Sequence, residues 1–280
     1  MKVGFHVSIF DSIDTAVDRA EELGINTFQM FTRNPRGWSY APLDPAEISL
    51  FKMKLANVSI DPVFVHMPYL PNLSSSRREV YDRSCQSLTG ELQRCNELGV
   101  PFLVTHLGSH LGSGKAMGFQ RIIDAINSAY LEARVKTMLL LENTAGTTNS
   151  MGSSFEDIQT IIDHVTFNEQ IGLCLDTCHA FVAGYDLRGK APVENVLKIL
   201  DSVIGLERLK LIHLNDSLGG FRSHLDRHEH IGLGKIGKEG FRAILNSKFG
   251  EYPLILETPI DERRNNFENL LKVSELANIS

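Results

Sequence analysis

The chain has 280 residues, long for one ordinary domain but typical of a single α/β barrel of roughly 250 residues, and its 42% hydrophobic and 22% charged content is that of a soluble globular protein. No apolar run approaches the roughly 20 residues that span a bilayer, and MKVGFHVSIFDS lacks a signal peptide's apolar stretch and cleavage site, so a soluble cytoplasmic chain with no membrane partner is expected. A formal charge of −6 does not advertise a nucleic-acid partner, which any such reading must answer.

In chain order, eight short β-rich runs appear: KVGFHV, NTFQMF, PVFVHM, PFLVTHL, TMLLLEN, IGLCLDT, LKLIHLN and PLILET. They are continuous rather than alternating, as strands buried on both faces of a parallel sheet are. Amphipathic helices lie between them. SIDTAVDRAEELG has a Ser or Asp cap and stops at Gly24, and RREVYDRSCQSLTGELQRCNELG closes on Gly99. Eight strands alternating with about eight helices make either a closed (β/α)8 TIM barrel or a doubly wound sheet. Six runs end in a metal-capable side chain: His66, His106, Glu142, Asp176, His213 and Glu257. A barrel brings those ends to one mouth, whereas an open sheet spreads them, so a single-domain barrel over residues 1–280 is expected, with its site at the C-terminal ends of the strands.

A lone histidine at a strand end is ordinarily structural, and a lone glutamate caps the next helix. Six such groups at one rim are costly unless something pairs with them. A cluster of divalent cations would pair with all six, zinc first, with manganese or iron as alternatives. Three more donors lie nearby. His179 follows Asp176 on one side of a first helical turn, and LDRHEH supplies Asp226 and His228. Nine ligands exceed the needs of two tetrahedral zinc ions. Three metals sharing a bridging carboxylate fit better, and Glu142, in mid-sequence among the ligands, is the candidate bridge.

The four cysteines form no C-x-x-C pair and read as reduced, buried thiols. Cys178 as a nucleophile would need a paired base, and its sequence neighbour His179 is badly placed for that; Cys174 packs against the barrel. GLGKIG matches a dinucleotide fingerprint but follows a charged tract rather than a buried strand. GSHLGSGKA has the wrong spacing for a Walker loop and ends in Ala116. His164 reads as a surface residue, His224 and His230 as solvated or supporting groups, and His6 as part of the site floor rather than a ligand; His110 stays unassigned.

The segments FVHMPYLPNLSS, VTHLGSH, LLLENTAG, LDTCHAFVAGYDL, IHLNDS, LDRHEHIGLGKIG and LILETP resemble, in order and spacing, the endonuclease IV family of apurinic/apyrimidinic (AP) endonucleases, and the match covers almost the whole chain. The resemblance implies a TIM barrel with three Zn2+ ions that cuts double-stranded DNA 5′ to abasic sites in base excision repair. The expected ends are a 3′-hydroxyl and a 5′-deoxyribose phosphate, with removal of 3′-blocking groups as a further activity. Carried over position by position, one zinc takes His66, His106 and Glu142. A second takes Glu142, Asp176, His213 and Glu257, and the third His179, Asp226 and His228. The side chains that the resemblance implies are inserted into DNA correspond to Arg36, Tyr69 and Leu70, with Pro35 and Gly37 setting the backbone options of the Arg36 loop.

Metal coordination lowers the pKa of water from about 15.7 to about 7, so no side-chain base is required. Glu142 and Glu257 are the expected catalytic carboxylates, both acting through the metals. Several of the counted acids are proposed ligands, so binding would respond to the local field of the cations rather than to net charge. Arg33, Arg36, Arg222, Arg227, Lys235 and Lys238 fall at the expected rim, and Arg263 and Arg264 follow the last strand. Two rivals remain at this point: a sugar isomerase or epimerase on a similar barrel, which needs fewer metals, and a lesion-binding scaffold whose metals are structural. One chain supplies every ligand, so a monomer is expected.

Overall fold

The computed structural model describes residues 1–39 and 41–277. Its strands are β1 (Val3–Val7), β2 (Phe28–Met30), β3 (Val63–His66), β4 (Phe102–Thr105), β5 (Met138–Glu142), β6 (Ile171–Asp176), β7 (Leu209–His213), β8 (Asp216–Ser217), β9 (His228–Glu229) and β10 (Leu254–Leu256). All eight runs read from the sequence are strands of one closed barrel, in the order β1-β2-β3-β4-β5-β6-β7-β10 and back to β1. Every pairing around it is parallel. The short β8 and β9 form a separate antiparallel ladder in the loop after β7.

The helices are α1 (Thr15–Glu22), α2 (Pro45–Ala56), α3 (Arg78–Leu98), α4 (Lys115–Ala133), α5 (Phe155–His164), α6 (Thr177–Ala183), α7 (Lys190–Val203), α8 (Gly237–Leu245) and α9 (Asn266–Ala277). Among the described residues there are nine where about eight were expected, because the β6–β7 connection holds both α6 and α7. Helix α3 ends as its sequence requires, with Gly99 at φ 73°, a left-handed conformation that glycine adopts without a side-chain clash. The cap expected for α1 is not made. Asp14 precedes the helix, but its carboxylate caps no amide; it accepts instead from Ser12 and from Lys54 Nζ at 2.7 Å. An ion pair to the neighbouring helix has replaced the cap. Among the described residues, no helix is long and apolar enough to cross a membrane.

Alternation along the strands explains how one barrel carries both a core and a site. Phe64, Val104, Leu140, Cys174, Leu211 and Ile255, one from each of six strands, form a fully buried cluster distinct from the main core. Phe28, Met30, Val65, Leu103, Leu139 and Leu175 belong to the larger cluster that includes helix residues such as Ala16, Leu88, Ile126 and Phe181. Side chains two apart on a strand share a face. One step beyond each member of the inner cluster therefore stand His66, His106, Glu142, Asp176, His213 and Glu257. An apolar plug lies below and a polar ring above.

Candidate metal centre

The nine donors named from the sequence converge on one place. Glu142 sits at the centre, almost fully buried. Its Oε2 lies 3.2 Å from His66 Nε2 and 3.0 Å from His106 Nε2. Its Oε1 lies 3.2 Å from His213 Nδ1 and 3.3 Å from His179 Nδ1. The two oxygens thus face two different pairs of imidazoles. Glu257 Oε2 approaches His213 Nδ1 at 3.4 Å, and Asp226 Oδ1 approaches His179 Nε2 at 3.2 Å. His228 Nε2 stands 3.5 Å from Asp176 Oδ2 and 3.9 Å from Asp226 Oδ1.

Donor atoms fall within 4.8 Å of one another in several sets, among them His66/His106/Glu142, His179/Asp226/His228 and Glu142/Asp176/His179. The first two coincide with the first and third ligand groups expected above. Of the expected second group, Glu142 and His213 form a set with Cys174, and Asp176 forms one with Glu142 and His179. A cavity of about 280 Å3 opens over the cluster, its wall made by His6, Phe31 and Tyr69 together with all of the nine except Asp176 and His213.

The histidines are held so that a lone pair faces inward. His66 Nδ1 lies 2.6 Å from the Met67 carbonyl oxygen, which commits the proton to that nitrogen and leaves Nε2 toward Glu142. His213 does the reverse: Nε2 lies 2.9 Å from Gln29 Oε1, so Nδ1 is the inward lone pair. Nδ1 of His228 faces the Glu257 carbonyl oxygen at 3.2 Å, and its buried Nε2 has no hydrogen-bond partner. A second hydrogen bond that fixes tautomer and ring angle is the usual support of a metal-binding imidazole. An orphaned imidazole nitrogen facing two carboxylates fits a cation, and mixed nitrogen and carboxylate donors fit zinc.

Electrostatics agree with a site that needs positive charge. Burial alone would raise the Glu142 pKa, yet the His106 and His213 imidazoles hold it well below the usual carboxylate range. Burial likewise opposes ionisation of Glu257, and His213 and His6 pull it down. His213 and His179 move the other way: burial would lower them, but the facing thiol and carboxylates raise them well above the usual imidazole value.

Three supporting residues were not read from the sequence. Asn143 Oδ1 accepts from the Asp176 amide at 2.7 Å, and its own carbonyl lies 2.9 Å from His179 Nδ1. Asn215 donates to Asp176 Oδ2 at 2.7 Å and accepts from the Glu257 amide at 2.8 Å. Both follow one of the nine expected donors within two positions, in LLLEN and IHLN, and that adjacency was the available signal. The third is Gln29, a lone amide inside the apolar run NTFQMF.

Tyr69 and Leu70 stand exposed on the loop after β3, 63% and 38% accessible. The Tyr69 amide donates to the Pro35 carbonyl at 3.1 Å, and its ring meets Phe31 edge-on at 5.2 Å. That bond ties their loop to the loop of Arg36, which is also exposed and whose amide donates to Asn34 Oδ1. The expectation that Arg33 is a rim cation is corrected. It is buried, with Nε 2.6 Å from Glu91 Oε1 and Nη1 donating to the Gly37 carbonyl, so it braces the Arg36 loop from within. Arg263 pairs with Asp261 and Glu229, and Arg264 donates to the Ile231 carbonyl. Arg222, Arg227, Lys235 and Lys238 are exposed.

The remaining histidines and motifs find structural uses. His6 faces Gln29 and the cavity. His230 is buried between Asp261 and Asn269, not solvated. His224 is exposed and faces the Ala145 carbonyl, His164 is exposed with Nδ1 near the Thr160 carbonyl, and His110 Nδ1 accepts from the Gly114 amide. The GLGKIG segment wraps the Asp216 carboxylate, which accepts the amides of Gly232, Gly234 and Ile236. A Cβ at Gly234 would fall 2.4 Å from the Ser217 carbonyl oxygen, which is why glycine stands there. Lys115 of GSHLGSGKA pairs with Asp157. Cys178 is buried and its thiol is pushed up to about 12 by burial, so it is no nucleophile at neutral pH.

Comparison with known proteins agrees with this architecture. The family model described as xylose isomerase-like TIM barrel matches residues 17–276, which sets the class of the fold. A protein of Methanoculleus marisnigri described as probable endonuclease 4 is 52% identical over 98% of both chains. Another of the same description, from Nitrosopumilus maritimus, is 46% identical over 99% of this chain and 100% of its own. The crystal structure of endonuclease IV from Thermus thermophilus superposes with a TM-score of 0.86 at 35% identity, covering 99% of this chain and 97% of that one. The chain belongs to the endonuclease IV family.

Proposed function

We propose that this protein is a zinc-dependent AP endonuclease of base excision repair, hydrolysing the phosphodiester 5′ to abasic sites in double-stranded DNA. The reading extends to removal of groups that block 3′ ends. Family membership supports the nuclease activity and its place in DNA repair. The observation that carries the finer reading is the Glu142 carboxylate, whose Oε2 faces His66 and His106 while its Oε1 faces His213. A carboxylate so placed suits a bridge between two cations.

His66, His106 and Glu142 would hold one zinc ion; Glu142, Asp176, His213 and Glu257 a second; His179, Asp226 and His228 a third. Bound zinc supplies a nucleophile from water at neutral pH and positive charge for the phosphoryl transition state. The chain's own contribution is geometry. Met67 and Gln29 set the tautomers of His66 and His213, while Asn143 and Asn215 lock Asp176 in place. Phe31 and Tyr69 wall the cavity on one side. Exposed Arg36, Tyr69 and Leu70 would enter the duplex at the lesion, where missing stacking makes distortion cheap and lets deformability supply selectivity. All nine donors belong to one chain, so a monomer suffices.

The test is a 5′-labelled duplex bearing one abasic site, incubated with zinc-loaded protein. Scission just 5′ of the site, leaving a 3′-hydroxyl, is expected, with loss of at least about 10²–10³-fold in rate for Glu142→Ala and Glu257→Gln. An intact duplex, or scission on the 3′ side, would overturn the proposal.

A further inference from the structure

We infer that Gln29 is a positioning residue of the metal centre, setting the orientation of both His213 and Glu257; this rests on the metal reading above. Gln29 is the middle residue of β2, fully buried between the buried Phe28 and Met30. Those two belong to the core shared with the helices, so alternation turns Gln29 to the barrel interior, opposite His6 in the β1 register. An amide there is costly unless its polar atoms are paired. All of them are. Oε1 lies 2.9 Å from His213 Nε2, and Nε2 lies 2.8 Å from Glu257 Oε1 and 3.0 Å from His6 Nδ1. The two amide protons serve the carboxylate and the imidazole of His6, and the carbonyl oxygen serves the third group.

No other neutral side chain of this reach meets the three demands together. A carboxylate at position 29 would repel Glu257, and a lysine or arginine would offer His213 no acceptor. By accepting from His213 Nε2, Gln29 fixes the tautomer whose Nδ1 lone pair faces Glu142 Oε1 at 3.2 Å and Glu257 Oε2 at 3.4 Å. By donating to Glu257 Oε1, it leaves Oε2 as the oxygen on the His213 side. One residue of β2 therefore aligns donors from β7 and from the end of β10, across the seam where the barrel closes through β1.

The test compares wild type with Gln29→Met, which keeps the volume and removes every hydrogen bond, and with Gln29→Ala, which removes the amide and adds nothing. Each is stripped of metal, checked for fold by circular dichroism, and titrated with zinc against a graded chelator. A parallel titration with cobalt reads the visible spectrum of each occupied position. Loss of a supporting partner of this kind costs about 10- to 100-fold in metal affinity. We expect that loss for the ion at His213 and Glu257 alone, with its cobalt band altered and the other ions bound as in wild type. Wild-type affinity and spectrum in either folded variant would overturn the inference. So would equal weakening of every ion, which signals general loosening. A wild-type chain that takes up no zinc would defeat the underlying metal reading as well, and that result is distinct from the other two.

Discussion

Asp176 caps the helix that carries His179. Its Oδ1 accepts the His179 amide at 2.7 Å at the start of α6, while its Oδ2 is held by Asn215 and faces His228. One carboxylate thus ends a strand, begins a helix and faces two imidazoles. The two functions separate by mutation. Asp176→Asn keeps an oxygen for the cap and removes the charge, but it turns an amide toward the Asn215 donor, so we expect fewer bound ions per chain with a loss of about 1–3 kcal/mol for the unpaired buried donors. Asp176→Ala also removes the cap, adding a loss of about 1 kcal/mol in urea unfolding of the metal-free protein. Equal metal content in wild type and Asp176→Asn would contradict this role.

The exposed residues of the two tethered loops should act on substrate binding. Stacking on an aromatic ring contributes about 1–3 kcal/mol per base. Tyr69→Ala is expected to raise Kd for abasic duplex by roughly 10- to 100-fold, with single-turnover cleavage at saturating protein changed less. Arg36→Ala should weaken binding and lower the slope of log affinity against log salt by about 1. An unchanged salt slope would remove Arg36 from the phosphate contacts.

Behind that loop lies a buried ionic brace. Glu91 accepts from Arg33 Nε at 2.6 Å and from Thr32 Oγ1 at 2.6 Å, while Arg94 donates to the Thr32 and Ala41 carbonyls. Removing one partner of a buried pair costs about 3–5 kcal/mol. Glu91→Ala should therefore destabilise the fold by about 3 kcal/mol or more in denaturant unfolding. It should also raise KM more than it lowers kcat, because the loop it braces carries Arg36 but no proposed ligand.

The buried thiols give a pH signature. Burial raises Cys174 and Cys178 to about 12, so the fold holds their protons more tightly than the unfolded chain does. The stability they contribute is complete below the unfolded thiol value of about 8.5 and is lost as pH rises toward 12. At pH 8 a thiol-specific reagent should label neither in the native protein within minutes, and Cys178→Ala should retain metal-dependent cleavage. Rapid native labelling of Cys178 would contradict its burial.

How much of this was legible beforehand follows from periodicity. The barrel was readable because the eight runs are continuous and apolar, and because six end in donors at one rim. Asp226 and His228 were readable only as two donors two apart in LDRHEH, a segment with no strand or helix period, and their grouping with His179 came from the resemblance to a family. Arg33 was misread for a different reason: a cation beside a rim loop looks like a phosphate contact until Glu91, 58 residues away, is seen to face it. Gln29 was passed over because a single polar residue does not disturb an apolar run. Long-range pairing is what the linear pattern lacks.

The measurement that bears most directly on the central claim is anomalous diffraction at the zinc edge from crystals of the zinc-loaded protein. The account predicts three peaks within the donor cluster, two of them flanking the Glu142 carboxylate about 3.5–4 Å apart. A single peak, or none among these nine side chains, would contradict it.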